Sequence, residues 1–267
     1  MKKMILLVAV MAMCIACGDR NGAELPKQQD KKALSAVASE AIDMVGEDSV
    51  KVGKALRSAG LKFLATQEEL EESKSPLLQH CRKMKKAGDP NITEVYYGYN
   101  IPTEYLFISD DEEAYQYVET TFREGRSFMI VQVYFYKDKM VGIHTTVESG
   151  LTKTVNLLYT EESDKMYASI SKDASNFTWE GDTGLDAKII KEYTDHAEFS
   201  ADIAAADAVE ADESASYTTE AFPNGLKYEA FWVHHSEEQM AKETPKGMAY
   251  SVWGSFVVYD AEYEDAL

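Results

Sequence analysis

The sequence is poor in basic residues. It has 27 Lys and Arg against 46 Asp and Glu, which gives a formal net charge of −19 at pH 7. Most of the acidic excess follows residue 90: residues 91–267 carry 12 basic and 34 acidic side chains, whereas residues 27–90 carry 12 and 10. A field of this sign repels phosphate backbones and argues against nucleic-acid binding. It suits a cationic partner or ligand, and it also serves solubility.

Long hydrophobic runs are missing as well. The first apolar run, Met4 to Met13, has ten residues, whereas a membrane-spanning helix needs about 20. Lys2 and Lys3 precede the run and small residues follow it, an arrangement typical of a signal peptide that is removed from the mature protein. Residues 1–16 are therefore predicted to be a signal peptide and not part of the fold.

The end of this segment, Cys14-Ile15-Ala16-Cys17, resembles the lipobox of bacterial membrane lipoproteins. Ala16 and Cys17 match the two most restrictive positions of that motif, while Cys14 stands where leucine is usual and Ile15 where a small residue is usual. The resemblance implies cleavage before Cys17 and attachment of acyl chains such as palmitate to that residue. Two or three acyl chains are enough for stable anchoring to a membrane.

The residue after the lipidated cysteine bears on location. In the sorting rule of enterobacterial lipoproteins, an aspartate at this position keeps the protein at the inner membrane, and here the position holds Gly18. The resemblance therefore implies an envelope protein of the outer membrane that faces the periplasm.

Cysteine is also scarce, with three in the chain. If Cys14 leaves with the signal peptide and Cys17 carries lipid, Cys81 alone remains. An intramolecular disulfide is then excluded, even in an oxidising compartment. The sequence has no Gly-rich phosphate-binding loop either, and no cofactor is predicted.

The rest of the chain divides by its hydrophobic pattern. Residues 17–30 have no periodicity and are predicted to be a flexible, lipidated tether. Residues 31–90 favour helices, either as a small subdomain or as a layer against a sheet. Apolar residues there recur at spacings of three and four, Ser49 is a candidate N-cap, and Thr66 and Glu69 have capping-box spacing.

Residues 91–267 change to a period of two, which predicts an acidic domain rich in strands. Met129, Val131, Val133 and Phe135 are expected on one face of the clearest strand. The predicted strands are 92–99, 103–109, 128–136, 140–148, 152–160, 165–171, 216–222, 226–234 and 250–259. A helix is predicted from the capping box at Ser109 and Glu112 to Gly125, and another around 185–194. Grouped helices and short strands predict an α+β fold: an N-terminal helical region followed by a mainly antiparallel sheet with one or two helices.

A metal site is one chemical candidate. His235 and Glu238 could share a helical face and bind zinc, with a third ligand from His144 or His196. Adjacent His234 cannot join them from a regular strand, because neighbouring side chains of a strand point to opposite faces. A polar strand end explains the same residues without a metal.

Two functions remain open on the sequence. One is a binding module for an envelope protein, a small molecule or a glycan, for which a cluster of tyrosines such as Tyr134 and Tyr136 would offer contact surface. The alternative is an envelope enzyme, hydrolase-like, whose site forms only in three dimensions, with His144, His196 and His234 as candidates.

Overall fold

The computed structural model of the chain describes residues 27–72, 86–101, 127–149, 152–171, 189–191, 193, 196–205, 213–234 and 252–267. The helices in these ranges are α1 (Gln28–Val37), α2 (Ser49–Ser58), α3 (Gln67–Glu72), α4 (Thr152–Ile170) and α5 (His196–Ala204), with 3-10 turns at Ala41–Met44 and Ala261–Tyr263. The strands are β1 (Lys62–Thr66), β2 (Ile92–Tyr99), β3 (Phe128–Tyr136), β4 (Lys139–Ser149), β5 (Ile189–Lys191), β6 (Glu213–Thr218), β7 (Leu226–His234) and β8 (Val252–Asp260).

The described strands form one sheet in the order β1-β2-β3-β4-β8-β7-β6-β5. Strands β1 to β4 and strands β6 to β8 each run up and down in sequence, and the two sets meet where β4 pairs antiparallel with β8. Every neighbouring pair is antiparallel except the short edge pair β5 and β6. The predicted α+β fold with a mainly antiparallel sheet is therefore confirmed.

The strand pattern separates two faces. Met129, Val131, Val133 and Phe135 of β3 enter the main core, as the alternation predicted, together with Phe256 and Val258 of β8. The residues between them point to the opposite face, where the described residues include a second, smaller apolar cluster around Ile92, Tyr134, Val141, Tyr259 and Leu267.

The N-terminal helices form a layer on this sheet. Leu34 and Val37 of α1 and Val52 and Leu56 of α2 belong to the same buried cluster as the strand residues. Residues 62–66, inside the region predicted to be helical, form β1 and pair with β2. Helices and sheet thus share one hydrophobic core, which is the layer arrangement and not a separate subdomain.

The strands predicted at 152–160 and 165–171 are wrong. Residues 152–170 form a single helix, α4. Tyr159, Glu162, Met166 and Ile170 are buried at spacings of three and four along it, which is the helical period. The segment contains three Thr and two Tyr, whose β propensity is overridden here by burial of this one stripe against the sheet. Among the residues predicted as a helix around 185–194, residues 189–191 form β5 instead.

Sequence patterns of a few neighbouring residues predicted the local structure better than the strand assignments at 152–160 and 165–171. Thr66 and Glu69 form the predicted capping box: the Thr66 N–H donates to Glu69 Oε2 at 2.8 Å, and the Glu69 N–H donates to Thr66 Oγ1 at 3.3 Å. A turn at 223–225, between the predicted strands 216–222 and 226–234, joins β6 to β7, with Gly225 at φ +81°. Asp48, not Ser49, caps α2 and accepts the N–H of Lys51 at 2.9 Å. No described helix has the length and apolar character needed to cross a bilayer.

Candidate functional site

An aspartate, a histidine and a serine meet between helices α4 and α5. Asp164 projects from α4, and its Oδ1 lies 3.0 Å from His196 Nε2 and accepts the Ser200 hydroxyl at 2.6 Å. His196 and Ser200 are four residues apart on α5, so they lie on one helical face. His196 begins the helix and was singled out from the sequence; Asp164 and Ser200 were not.

Aromatic packing fixes the imidazole. The ring of Tyr167, one turn after Asp164, stacks on His196 with centroids 4.1 Å apart and planes 8° apart. Tyr228 of β7 meets His196 edge-on at 6.5 Å and is hydrogen-bonded to Ser163. The imidazole, 8% exposed, is thus held between the sheet and α4, which orients it toward Asp164.

Asp164 is ionised at neutral pH. Partial burial acts to raise the pKa of its carboxyl, but the hydrogen bonds from His196 and Ser200 outweigh burial and hold that pKa below its usual value. The hydrogen bonds with His196 and Ser200 both use Oδ1, while the side chain remains 52% exposed. The carboxylate therefore presents negative charge to solvent.

This trio is not arranged for nucleophilic catalysis. A serine nucleophile needs a base whose acceptor nitrogen faces the hydroxyl, while its other nitrogen faces the carboxylate. Here one nitrogen, His196 Nε2, faces both Asp164 at 3.0 Å and Ser200 at 3.3 Å, and the Ser200 proton goes to the carboxylate. If Nε2 donates to Asp164, it cannot accept a proton from Ser200. The arrangement instead holds the carboxylate of Asp164 in place between α4 and α5.

The trio lies in a groove of about 450 Å³ between the two helices. Thr160 of α4 lines one side, and three alanines of α5, Ala197, Ala201 and Ala204, line the other. The alanines are exposed and follow one another at spacings of four and three, so their methyl groups form a single shallow wall. Small side chains on α5 are what leave this volume open.

The candidate histidines do not share this site. His144 lies on β4, opposite Gln132, on the sheet face away from the helices, and its Nε2 is 2.7 Å from Ser255 Oγ. His196 lies in the helical layer on the other side. His234 ends β7 opposite Val252. The sheet therefore separates His144 from His196, against the suggestion that the histidines form one catalytic centre.

The zinc candidates His235 and Glu238 lie outside the described residues, as do Cys17 and Cys81. Among the residues that the structure does describe, no three His, Cys, Asp or Glu side chains are placed to hold a metal ion.

The tyrosines of β2 and β3 are largely buried and form part of a polar network under the sheet. Glu94, 5% exposed, accepts the Ala87 N–H at 2.7 Å, the Tyr96 hydroxyl at 2.7 Å and Gln132 Nε2 at 2.5 Å. Tyr134, 2% exposed, donates its hydroxyl to Gln132 at 2.9 Å. Tyr96 and Tyr134 thus bind other side chains of this chain and offer no open platform.

A buried carboxyl lies near the start of the fold. Asp30, in the first turn of α1, accepts the Tyr99 hydroxyl at 2.8 Å through Oδ1. Its Oδ2 is buried, and the N–H and hydroxyl of Ser127 lie close enough to interact with the carboxylate. Burial is the largest influence and raises the pKa of Asp30 above its ordinary 3.8.

From the raised pKa of Asp30 we predict that the stability of the fold depends on pH. Because the pKa of folded Asp30 is raised, its contribution is fully present below pH 3.8 and is lost as the pH rises through the folded-state pKa. Asp30→Asn mimics the protonated form, and its amide can donate toward Ser127. We expect the variant to gain stability relative to the wild type between acid and neutral pH, measured by urea unfolding at several pH values. A difference that is flat or falls with pH would contradict this.

The fold and the groove define an α+β domain that carries a fixed anion in its helical layer. Comparison of the chain with protein-family models, with curated proteins and with solved structures finds no match.

Proposed function

We propose that this protein is a cell-envelope lipoprotein, anchored by acyl chains on Cys17 in the outer membrane and facing the periplasm, whose acidic domain binds a ligand or a protein. The lipobox-like residues support the anchor. The open groove with an ionised carboxylate supports binding, and it is the observation on which this half of the proposal depends.

Residues 28–30 were predicted to belong to the tether of residues 17–30, but they form the start of α1, so a tether would be shorter than predicted. Ten residues separate Cys17 from Gln28, where α1 begins, and they reach at most about 35 Å when fully extended. The first turn of α1 is tied to the domain by the Asp30–Tyr99 bond and by an ion pair between Lys31 and Glu161 at 2.8 Å. The domain would therefore remain close to the membrane that carries the lipid.

Binding is favoured over catalysis by the geometry of His196, the histidine that lines the groove among the described residues. When Nε2 donates to Asp164, it cannot also accept the Ser200 proton. Hydrolysis of an activated ester by the purified chain, abolished by Ser200→Ala without loss of folding, would contradict this part of the proposal and favour the envelope hydrolase.

The anchor is tested by replacing the cysteine. We expect Cys17→Ala to abolish incorporation of labelled palmitate and to release the protein from the membrane fraction or leave it unprocessed. Cys81→Ala is the matched control, since that cysteine lies outside the lipobox-like segment, and it should keep both label and membrane attachment. Continued labelling of the Cys17→Ala protein would contradict the anchor.

A further inference from the structure

The groove between α4 and α5 is lined by one carboxylate, Asp164, among the described residues. Asp164 Oδ1 contacts His196 Nε2 and accepts the Ser200 hydroxyl. Both partners lie on α5, so the carboxylate is held in a fixed orientation. The Asp164 side chain is half exposed and lines the open groove. A donor from outside the chain can reach the carboxylate without displacing either internal bond.

The surrounding charges reinforce the negative field. Lys165 bonds Glu162 at 2.5 Å and Glu161 at 3.2 Å, and Lys31 bonds Glu161 at 2.8 Å. These two lysines are engaged with carboxylates other than Asp164. Glu198 and Asp202, each next to a groove-lining alanine of α5, add further acidic side chains.

The alanine wall gives the groove a shape as well as a charge. From Ala197 to Ala204 it runs seven residues along α5, about 10 Å at the rise of an α-helix. A flexible aliphatic stem can lie along such a wall and bury its methylene groups while its charged end reaches the carboxylate. A small free amine could pair with the carboxylate, but it would be too short to pack along the three alanines.

We propose that this groove receives a lysine or arginine side chain from a basic segment of a protein partner, with the cationic group on the Asp164 carboxylate and the stem along Ala197, Ala201 and Ala204. This rests on the proposed binding function and names its class of partner. A charge-assisted hydrogen bond to a preoriented carboxylate is stronger than a neutral one. The acidic surface of the domain would also speed the encounter.

The test uses the full chain in detergent and a fluorescein-labelled peptide of alternating Arg and Ala, with an alternating Glu and Ala peptide as the charge control. Fluorescence anisotropy at low ionic strength measures both affinities. We expect the basic peptide to bind, to be weakened by salt, and to lose about tenfold in affinity with Asp164→Asn. The acidic peptide should not bind.

Two further variants separate the groove from general charge. Ala201→Trp fills the groove from an exposed helical position and should weaken binding about as much as Asp164→Asn, without loss of folding by circular dichroism. Glu262→Gln removes an equal charge from an exposed site outside the groove and should change the affinity by less than about twofold.

The outcomes distinguish the two proposals. Equal losses of affinity with Asp164→Asn and Glu262→Gln, or no loss of affinity with Ala201→Trp, would contradict binding in the groove. Binding that depends on diffuse charge would remain. Failure of the wild-type chain to bind the basic peptide would overturn the basic-partner assignment. The anchor is measured separately through Cys17, so neither result alters it.

Discussion

Replacing Gly254 with alanine is expected to lower the free energy of unfolding by about 3 kcal/mol, near the upper end for overpacking a core. Gly254 lies in β8 beneath α4, and a Cβ there would come within 2.3 Å of Cδ2 and 2.7 Å of Cε2 of Tyr159. The Tyr159 ring is fully buried and its hydroxyl is hydrogen-bonded, so it has no free direction in which to move. Urea unfolding followed by circular dichroism measures the loss.

Two comparisons isolate the clash. Gly88→Ala should cost little, because the nearest atoms to its added Cβ lie at 3.8 and 3.9 Å, which is ordinary contact. In a Tyr159→Leu background the cost of Gly254→Ala should fall substantially, since the ring atoms that it strikes are gone. If Gly254→Ala cost the same in both backgrounds, the contact between α4 and β8 would be wrong.

Removing the Tyr159 hydroxyl is expected to lower the free energy of unfolding by about 2 kcal/mol, because two hydrogen bonds to backbone groups are lost. That hydroxyl donates to the Ser255 carbonyl at 2.8 Å and accepts the Phe231 N–H at 3.1 Å. It therefore bridges β7 and β8 at a point where Phe231 and Ser255 face each other across the ladder. Tyr159→Phe keeps the ring and its packing, so thermal or urea unfolding reports the hydrogen bonds.

Tyr136→Phe is the matched control, because Tyr136 is a half-buried tyrosine of the same sheet that packs by its ring against Tyr263. We expect that variant to stay within about 0.5 kcal/mol of the wild type. A cost for Tyr159→Phe that is no larger than the cost for Tyr136→Phe would show that the hydroxyl does not bridge the strands.

Tyr159 also connects the fold to the groove. It fixes α4 on β7 and β8 through ring and hydroxyl, and the next residue, Thr160, lines the groove. Asp164 follows one turn later. Substitutions that loosen Tyr159 are thus expected to disturb the direction of the Asp164 carboxylate as well as stability.

The sequence predicted the parts of the fold that depend on local pattern. Strand β3 alternates without a break, so its two faces followed from a period of two. The capping box at Thr66 and the turn before Leu226 depend on neighbouring residues alone, and both are present.

Helix α4 could not be predicted in the same way. Its buried stripe includes polar residues, Glu162 and Ser163, which accept or share hydrogen bonds with Ser35 and Tyr228. A hydrophobic count does not recognise such residues as inward-facing. The groove was missed for the same reason: Asp164 lies on a helix that the pattern assigned to strands, and its partners are 32 and 36 residues away.

The central claim is that a lipid on Cys17 holds this acidic domain at the envelope, and the mass of the mature protein tests it most directly. Protein extracted from membranes with detergent should have an N-terminal peptide that begins at Cys17 and carries a diacylglyceryl group with or without a third acyl chain. An unmodified Cys17, or a mature N-terminus at any other residue, would contradict the account.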